Sequence, residues 1–557
     1  MDTKPPQLSE VEIIKEKSNY LKGTLAESLK NEITGAIYAQ DTHLIKFHGS
    51  YQQTDRELDA ERKHQKLEPL YSFMLRVRVP GGIATAQQWL SMSKLAADWG
   101  SDTLKLTTRQ AFELHCVLKR NLQTVMQGIY QSGLDTLAAC GDVNRNVMCT
   151  PHPFASAIHH ESQEIARQIS AHLTPHTTAY YEIWLDGEHI NKTTETETIE
   201  PIYGKTYLPR KFKIAIAIPP DNDTDIFAND IGLIAIANPD DTLAGFNVAI
   251  GGGMGRTLGD DTTYPRVASV IGYVPKEQII AVCEQIVTIQ RDYGNRESRK
   301  HSRLKYTIDR LGLDWFKTEL NTRLGWTIAD AKSFVFNSND DRYGWYQGTN
   351  GNWFVTLFIE GGRIKNTENY ALKTAFDQIA ALNCCDFRLT GNQNLILGNI
   401  NPQDKAPIEE LLTQYGILQQ LSKSPLRLHS MACVALNLCA LANAEAERYL
   451  PSLIDKIDQL MAQYQLNNQP ITIRMTGCAN GCSRPYLAEI GLVGRSPGNY
   501  NLYLGAAFDG SRLNKLYRET LSETDILTEL NQLFKQYATE RTPNEHFGDF
   551  VLRKNIV

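Results

Sequence analysis

No stretch of this sequence approaches the roughly 20 consecutive apolar residues that a membrane-crossing helix needs. A membrane partner is therefore not expected. An excess of basic charge is also missing: 57 Lys and Arg stand against 63 Asp and Glu, a formal net charge of -6. That balance argues against nucleic acid or an anionic lipid surface as a general partner, because both favour a basic face. The segment MDTKPPQLSEVEIIKEKSNYLKG carries acidic residues early and lacks an apolar core followed by a small-residue cleavage site, so no export or transit signal is legible. A cytoplasmic location follows as an expectation. In that setting ten cysteines are better read as reduced thiols or metal ligands than as a disulfide framework.

What is present is long and balanced. With 557 residues, 42% hydrophobic and 22% charged, the chain has the composition of globular proteins and the length of several domains. Residues 1–70 are polar, with a helical pattern near 9–28 and a charged run at 54–68, and read as an arm that wraps or docks. YSFMLRVRVPGG then gives a strand ended by Pro-Gly-Gly, followed by a helical pattern to about Trp99 and a second strand, LKLTTRQAFELHCVL.

The same unit recurs. GNWFVTLFIEGGRI again ends a strand in Gly-Gly, a helical run reaches about Leu382, and FRLTGNQNLIL follows. Leu104-Lys-Leu-Thr-Thr-Arg-Gln110 aligns with Phe387-Arg-Leu-Thr-Gly-Asn-Gln393, and a cysteine follows each at a similar distance, Cys149 and Cys433. Two fused copies are expected, not a solenoid. The boundaries read as 1–70 for the arm, 71–138 with 340–422 for the paired units, and 139–339 and 423–557 for two lobes.

Four cysteines carry the chemistry. Cys433 and Cys439 are separated by five intervening residues, Cys478 and Cys482 by three, and a helical stretch lies between the pairs. Zinc sites favour two-to-four-residue spacers within a pair; a cubane held by four thiolates tolerates wider spacing. TGCANGCSRP adds glycines that let backbone amides approach cluster sulfurs. Cys116, Cys140, Cys283, Cys384 and Cys385 read instead as buried small hydrophobes. GGGMGR at 251–256 lacks the G-x-G-x-x-G order, and RTLGDDTTYPR after it does not read as a helix, so a dinucleotide fingerprint is excluded. No nicotinamide or flavin site is legible, and electrons would have to arrive from another protein.

SMACVALNLCALANAEAERYLPS with RMTGCANGC resembles the cluster signature of the siroheme nitrite and sulfite reductase hemoproteins. NYLKGTL, FHGSYQQ, VPGG, NRNVMCT, TYLPRKFK and FGDF extend the similarity to the hemoprotein subunits of NADPH-dependent sulfite reductases over nearly the whole chain. The resemblance implies an α+β, pseudo-two-fold duplicated fold: ferredoxin-like half-domains plus two α/β lobes around the cofactors, siroheme and a 4Fe-4S cluster. It implies six-electron reduction of sulfite to sulfide in sulfate assimilation. The electron-supplying partner would be a flavoprotein (alpha) subunit that carries FAD/FMN and oxidises NADPH. Cys433, Cys439, Cys478 and Cys482 would bind the cluster, with Cys482 shared with the siroheme iron.

The family's anion-binding positions fall on Arg76, Arg145, Lys211 and Lys213. Apart from any family, KFKIAIAIP alternates with period two, which puts both lysines on one face and Phe212 with the isoleucines on the other. Adjacent ammonium groups make most sense beside bound negative charge, although a solvated strand start would look the same. Arg109, Arg210, Lys305 and Gln393 resemble siroheme contacts; Asn144 and Asn480 are polar contacts or turn residues. The rival readings are a ferredoxin-dependent sulfite or nitrite reductase and, in another class, a non-catalytic iron-sulfur protein. The last leaves the basic set unexplained.

Overall fold

The computed structural model describes residues 8–151, 156–185 and 200–557. Among these residues the strands form five-stranded sheets in two matching pairs. The first pair is built from the repeated units. One sheet runs β1 (Ser50–Thr54), β2 (Tyr71–Val77), β5 (Phe112–Val117), β4 (Leu104–Leu106) and β13 (Arg363–Ile364). The other runs β11 (Gly344–Gln347), β12 (Trp353–Leu357), β17 (Leu395–Ile400), β16 (Asp386–Leu389) and β3 (Ile83–Thr85). A small ribbon, β14 (Asn366–Thr367) and β15 (Tyr370–Ala371), lies beside them.

Each unit lends a strand to the other. After β2 the chain turns at Gly81 and Gly82, both at positive φ, and β3 leaves its own sheet to pair antiparallel with β16. A Cβ on Gly82 would meet the Leu389 carbonyl oxygen at 2.7 Å, so only glycine fits this crossing. Gly362 does the same in the second unit, where a Cβ would lie 2.5 Å from the Leu106 oxygen, and β13 pairs with β4. The helices Ala86–Trp99 and Leu372–Ala381 pack between, with Trp89 stacked on Phe387 at 4.6 Å and edge-on to Phe376 at 5.5 Å.

Two stretches expected as continuous are broken. LKLTTRQAFELHCVL divides into β4 and β5 because the Thr107 hydroxyl accepts from the amides of Arg109 and Ala111, both at 3.2 Å, which favours a turn over a ladder. Thr390 does the same for Asn392 and Asn394. In the arm, the helical pattern divides into Glu10–Lys17 and Leu25–Lys30, since Asn19, Tyr20 and Leu21 all take positive φ. The arm docks through buried Lys15, which donates to Glu12 at 2.5 Å and to the Leu208 carbonyl at 2.7 Å. Its end supplies β1, the edge strand beside β2.

The second pair of sheets belongs to the lobes. β6 (Met148–Cys149), β7 (Ile214–Ala217) and β8 (Ile231–Ala237) run parallel, then β9 (Leu243–Ile250) and β10 (Ser269–Pro275) antiparallel. β18 (Ser430–Ala432), β19 (Ile473–Thr476), β20 (Ile490–Ser496), β21 (Asn499–Leu504) and β22 (Lys515–Leu521) repeat that order and sense. Short 3-10 turns precede β8 and β20, and each follows a left-handed residue, Asp225 and Arg484. These two side chains form a buried ion pair with each other, so the pseudo-dyad passes close to it.

Of the cysteines expected to be buried small hydrophobes, Cys140 and Cys283 are buried, whereas Cys116, Cys384 and Cys385 are only partly so. Cys384 and Cys385 follow the helix Leu372–Ala381 in a turn, where a thiol is less enclosed than within a sheet.

Candidate active site

Lys211 and Lys213 lie in extended chain just ahead of β7. Phe212 between them is buried in the opposite direction, its N–H donating to the Val143 carbonyl and its carbonyl accepting from Arg145 N–H at 2.9 Å. Alternation therefore brings both lysines to one cavity, together with Arg109, Asn480, Cys482 and Arg484. An adjoining cleft shares Lys211, Arg303 and Asn480 and adds Arg210, Arg256, Arg299 and Lys300.

So many cations in a buried space disfavour their own charge. Burial, then Arg210 and Arg303, push the Lys211 ammonium down to about 7. Burial and then Lys211 hold Lys213 well below the ordinary lysine range. Arg109 falls to about 9 through burial, Arg484 and Arg145, and Arg210 to about 10 through burial and Arg299. Arg109 donates to Asn229 Oδ1 at 2.6 Å and to the Ile214 carbonyl at 3.0 Å, yet its buried Nε has no partner among the described residues. Under-compensated positive charge of this kind fits a polyanionic cofactor and an oxyanion.

The other expected site residues divide into two groups. Arg76 on β2 pairs with Glu113, its register partner on β5, through Nε at 2.8 Å, and donates to Cys140 Sγ at 3.2 Å. Arg145 donates from Nε to the Gly141 carbonyl at 2.8 Å. Arg145, Arg76 and Arg210 all act on the Tyr51 hydroxyl, which burial holds above its ordinary range. Arg145 and Arg210 also act on Lys211, whereas neither Arg76 nor Arg145 lines the cavity or the cleft, Arg76 being held instead by its ion pair with Glu113. Lys305, Gln393 and Asn144 do not line either space. Lys305 donates to the carbonyls of Gly253, Gly255 and Tyr264, so it holds the glycine loop whose Met254 and Gly255 form the cavity wall. Gln393 is buried at positive φ in the position equivalent to Gln110, which clamps the Cys149 backbone.

Sequence reasoning missed Arg256, Arg299, Lys300, Arg303 and Arg484. The run NRESRKHSRLKY, with five Lys or Arg in twelve positions, was the signal available for three of them. Arg484 follows Cys482 by two residues and had no separate signal.

The cysteines stand at the ends of neighbouring parallel strands: Cys433 follows β18, and Cys478 and Cys482 follow β19. Gly477 N–H donates to Cys433 Sγ at 3.3 Å, and a Cβ at Gly477 would clash with Ala435 at 2.6 Å. Burial pushes the Cys433 and Cys478 thiols up to about 12 and raises Cys439, and in each case Cys482 is the next cause. The four sulfurs therefore share one locality. Among the described residues no three His, Cys, Asp or Glu side chains close around a point as a single metal ion requires. Thiols from two loops, with one five-residue spacer, suit a cubane better than zinc, which favours two-to-four-residue spacers. Cys482 is exposed and faces the cavity of the lysines, which makes it the sulfur common to both places.

A family profile described as the nitrite and sulphite reductase 4Fe-4S domain matches residues 164–328, and one for the nitrite/sulfite reductase ferredoxin-like half domain matches twice, at 64–131 and 346–415. The chain belongs to the nitrite and sulphite reductase family. Its relatives include the sulfite reductase (NADPH) hemoprotein beta-component of Staphylococcus saprophyticus, 56% identical over 99% of this chain and 96% of that protein. The protein of the same description from Anoxybacillus flavithermus is 58% identical over the same shares. The solved structure of Mycobacterium tuberculosis NirA shares the fold, with a TM-score of 0.78 and 22% identity over 98% of this chain and 96% of that one. The paired half-domain matches agree with the duplication legible in the sequence.

Proposed function

We propose that this chain reduces sulfite to sulfide, using a siroheme coupled to a 4Fe-4S cluster and electrons from an NADPH-oxidising flavoprotein partner that carries FAD and FMN. The observation that carries the proposal is one cavity wall shared by Lys211, Lys213 and Cys482. Relatives described as NADPH sulfite reductase hemoproteins support it at 56% and 58% identity. A cytoplasmic site of action belongs to the same proposal; no helix of the described residues is long and apolar enough to cross a membrane.

Six electrons and six protons convert hydrogen sulfite to hydrosulfide and three waters. The cofactors, when bound, supply the electrons and an iron site for the sulfur. Cys433, Cys439, Cys478 and Cys482 would hold the cluster, and Cys482 would also reach the siroheme iron. Arg210, Arg256, Arg299, Lys300 and Arg303 would pair with siroheme carboxylates in the cationic cleft. Lys211 and Lys213 bind the substrate's oxygens. An amine poised near neutrality, as at Lys211, regains its proton beside an anion and gives it to an oxygen leaving as water. Arg145 adds positive charge near Lys211.

The test is the visible spectrum after anaerobic reconstitution with iron, sulfide and siroheme. A Soret-region band and a red band are expected, and Cys482→Ser loses both while Cys116→Ser keeps them. Colourless protein would sink the proposal. Turnover of sulfite and nitrite with an artificial donor then decides the substrate, with sulfite expected to be preferred.

A further inference from the structure

No Asp or Glu among the described residues lines the cavity of the lysines or the adjoining cleft. A carboxylate stands behind the wall instead. Asp230, the residue before β8, is fully buried. Its Oδ2 accepts from Lys213 N–H at 2.9 Å and from Arg303 Nη2 at 2.8 Å, and its Oδ1 accepts from Arg303 Nε at 3.2 Å. The same lysine is gripped from its other side, because the Lys213 carbonyl accepts from Ile231 N–H at 3.0 Å. The Asp230 carbonyl in turn accepts from Gly251 N–H at 2.9 Å, at the start of the glycine loop. One buried residue therefore joins a lysine of the cavity, an arginine that lines both spaces and the loop that forms the wall.

The second lobe carries the same clamp without the cations. Thr472 and Glu489 stand where Lys213 and Asp230 do, one residue ahead of the paired parallel strands. Glu489 Oε2 accepts from Thr472 N–H at 2.9 Å, Ile490 N–H donates to the Thr472 carbonyl at 3.0 Å, and Gly505 N–H donates to the Glu489 carbonyl at 3.2 Å. Where Asp230 takes Arg303, Glu489 Oε1 takes the Gly548 N–H at 2.8 Å. The backbone part of the clamp thus belongs to the duplicated lobe. The lysine and the arginine are what the first lobe adds.

We propose that Asp230 is a positioning residue for sulfite reduction: its carboxylate fixes Lys213, which meets the substrate, against Arg303, which meets the siroheme, so that the two cations keep one spacing. This rests on the reading of Lys213 as a sulfite contact and Arg303 as a siroheme contact. A backbone pinned on both sides sets the direction in which the Lys213 side chain leaves the strand, and a bidentate carboxylate holds a guanidinium in one plane. Behind the wall, the anion orients both cations without facing sulfite, which a carboxylate in the wall would repel.

The experiment measures siroheme absorbance per chain, melting temperature, and kcat and KM for sulfite per bound siroheme with an artificial donor. Asp230→Asn keeps an oxygen for one donor and turns an amide toward the other; it is expected to lower kcat/KM per siroheme by about 10²-fold, the scale for a misplaced group. Asp230→Glu should recover most of this, since Glu489 shows that a glutamate reaches the same N–H. Glu489→Gln, which breaks the clamp of the other lobe, should lower the melting temperature and leave kcat/KM per siroheme unchanged. A wild-type kcat/KM in loaded Asp230→Asn overturns the proposal, as does an equal fall in Glu489→Gln, which would make the clamp architectural in both lobes. If Asp230→Asn takes up no siroheme, Asp230→Glu decides: loading with kcat/KM restored supports the assignment, and loading with kcat/KM still depressed overturns it. Loss of siroheme from both variants overturns it in favour of cofactor retention alone. An unchanged kcat/KM in Lys213→Ala, assayed alongside, would instead refute the lysine reading.

Discussion

At Lys213, burial and the adjacent Lys211 charge both act against the ammonium, and Lys213 has no carboxylate ion pair among the described residues. A folded protein does not hold two such amines together for stability, so their arrangement is set by what they bind. Lys213→Ala is expected to lower sulfite turnover by about 10²- to 10³-fold, the scale for losing one preorganised donor, while siroheme absorbance per chain stays near wild type. Parallel loss of absorbance and turnover would mean that the side chain serves cofactor retention.

His48 poses a different residue-scale problem. It is fully buried, with Nε2 2.9 Å from the Leu21 carbonyl and Nδ1 accepting from Trp184 Nε1 at 3.0 Å. That pairing fits the neutral ring, and burial pushes its pKa down to about 4 from 6.5. The unfolded chain therefore binds the proton first on acidification. Its stabilising contribution is fully present above pH 6.5 and is lost as pH falls through about 4, a swing of about 3 kcal/mol. Because Leu21 belongs to the arm, acid should loosen the arm early. His48→Gln, which does not titrate, should flatten the acid limb of a melting-temperature profile; an unchanged slope between pH 6.5 and 4 would refute this.

At the scale of elements, the strand exchange depends on two glycines in left-handed conformation against a facing carbonyl. Gly82→Ala and Gly362→Ala should each destabilise by about 1–3 kcal/mol through backbone strain and the clash with the facing carbonyl, read as a fall in melting temperature, whereas Gly351→Ala, also at positive φ but with an added Cβ that meets nothing within 4 Å, carries the strain alone and should cost less. The duplication was legible because the matched Leu, Thr and Gln have physical jobs: the Thr107 and Thr390 hydroxyls make the same turn, and Gln110 and Gln393 take the same left-handed backbone. The exchange of β3 and β13 was not legible, since a strand pattern does not say which sheet receives it. Likewise, period two put Lys211 and Lys213 on one face, while Lys305 drew notice for its charge and proved to bind backbone carbonyls. A single sequence shows which residues carry charge but not where the end of a long side chain goes.

For the molecule as a whole, the two lobes meet at a buried carboxylate shared by two guanidiniums. Asp225 Oδ2 accepts from Arg474 Nη1 at 2.5 Å and from Arg484 Nε, and its Oδ1 accepts from Asn339 at 3.0 Å. Asp225 belongs to the first lobe, Arg474 to β19, and Arg484 follows Cys482 by two residues, so this triplet fixes Cys482 against the lysine-bearing lobe. Arg484 also donates to the Thr108 carbonyl at 3.0 Å, and the Thr108 hydroxyl donates to the Cys482 carbonyl at 3.1 Å, which brings the first half-domain into the same knot. Asp225→Asn leaves two buried positive charges without their anion, a loss of about 3–5 kcal/mol. A chain of several domains need not melt in one step, so the informative readout is the shape of the calorimetric transition. Wild type should melt with its lobes coupled, and Asp225→Asn should melt earlier and in separated steps. Adding Arg474→Met removes one of the stranded charges and should recover part of the loss. A single transition at the wild-type temperature in Asp225→Asn would show that the lobes are held elsewhere, and that the position of Cys482 does not depend on the ion pair at the pseudo-dyad.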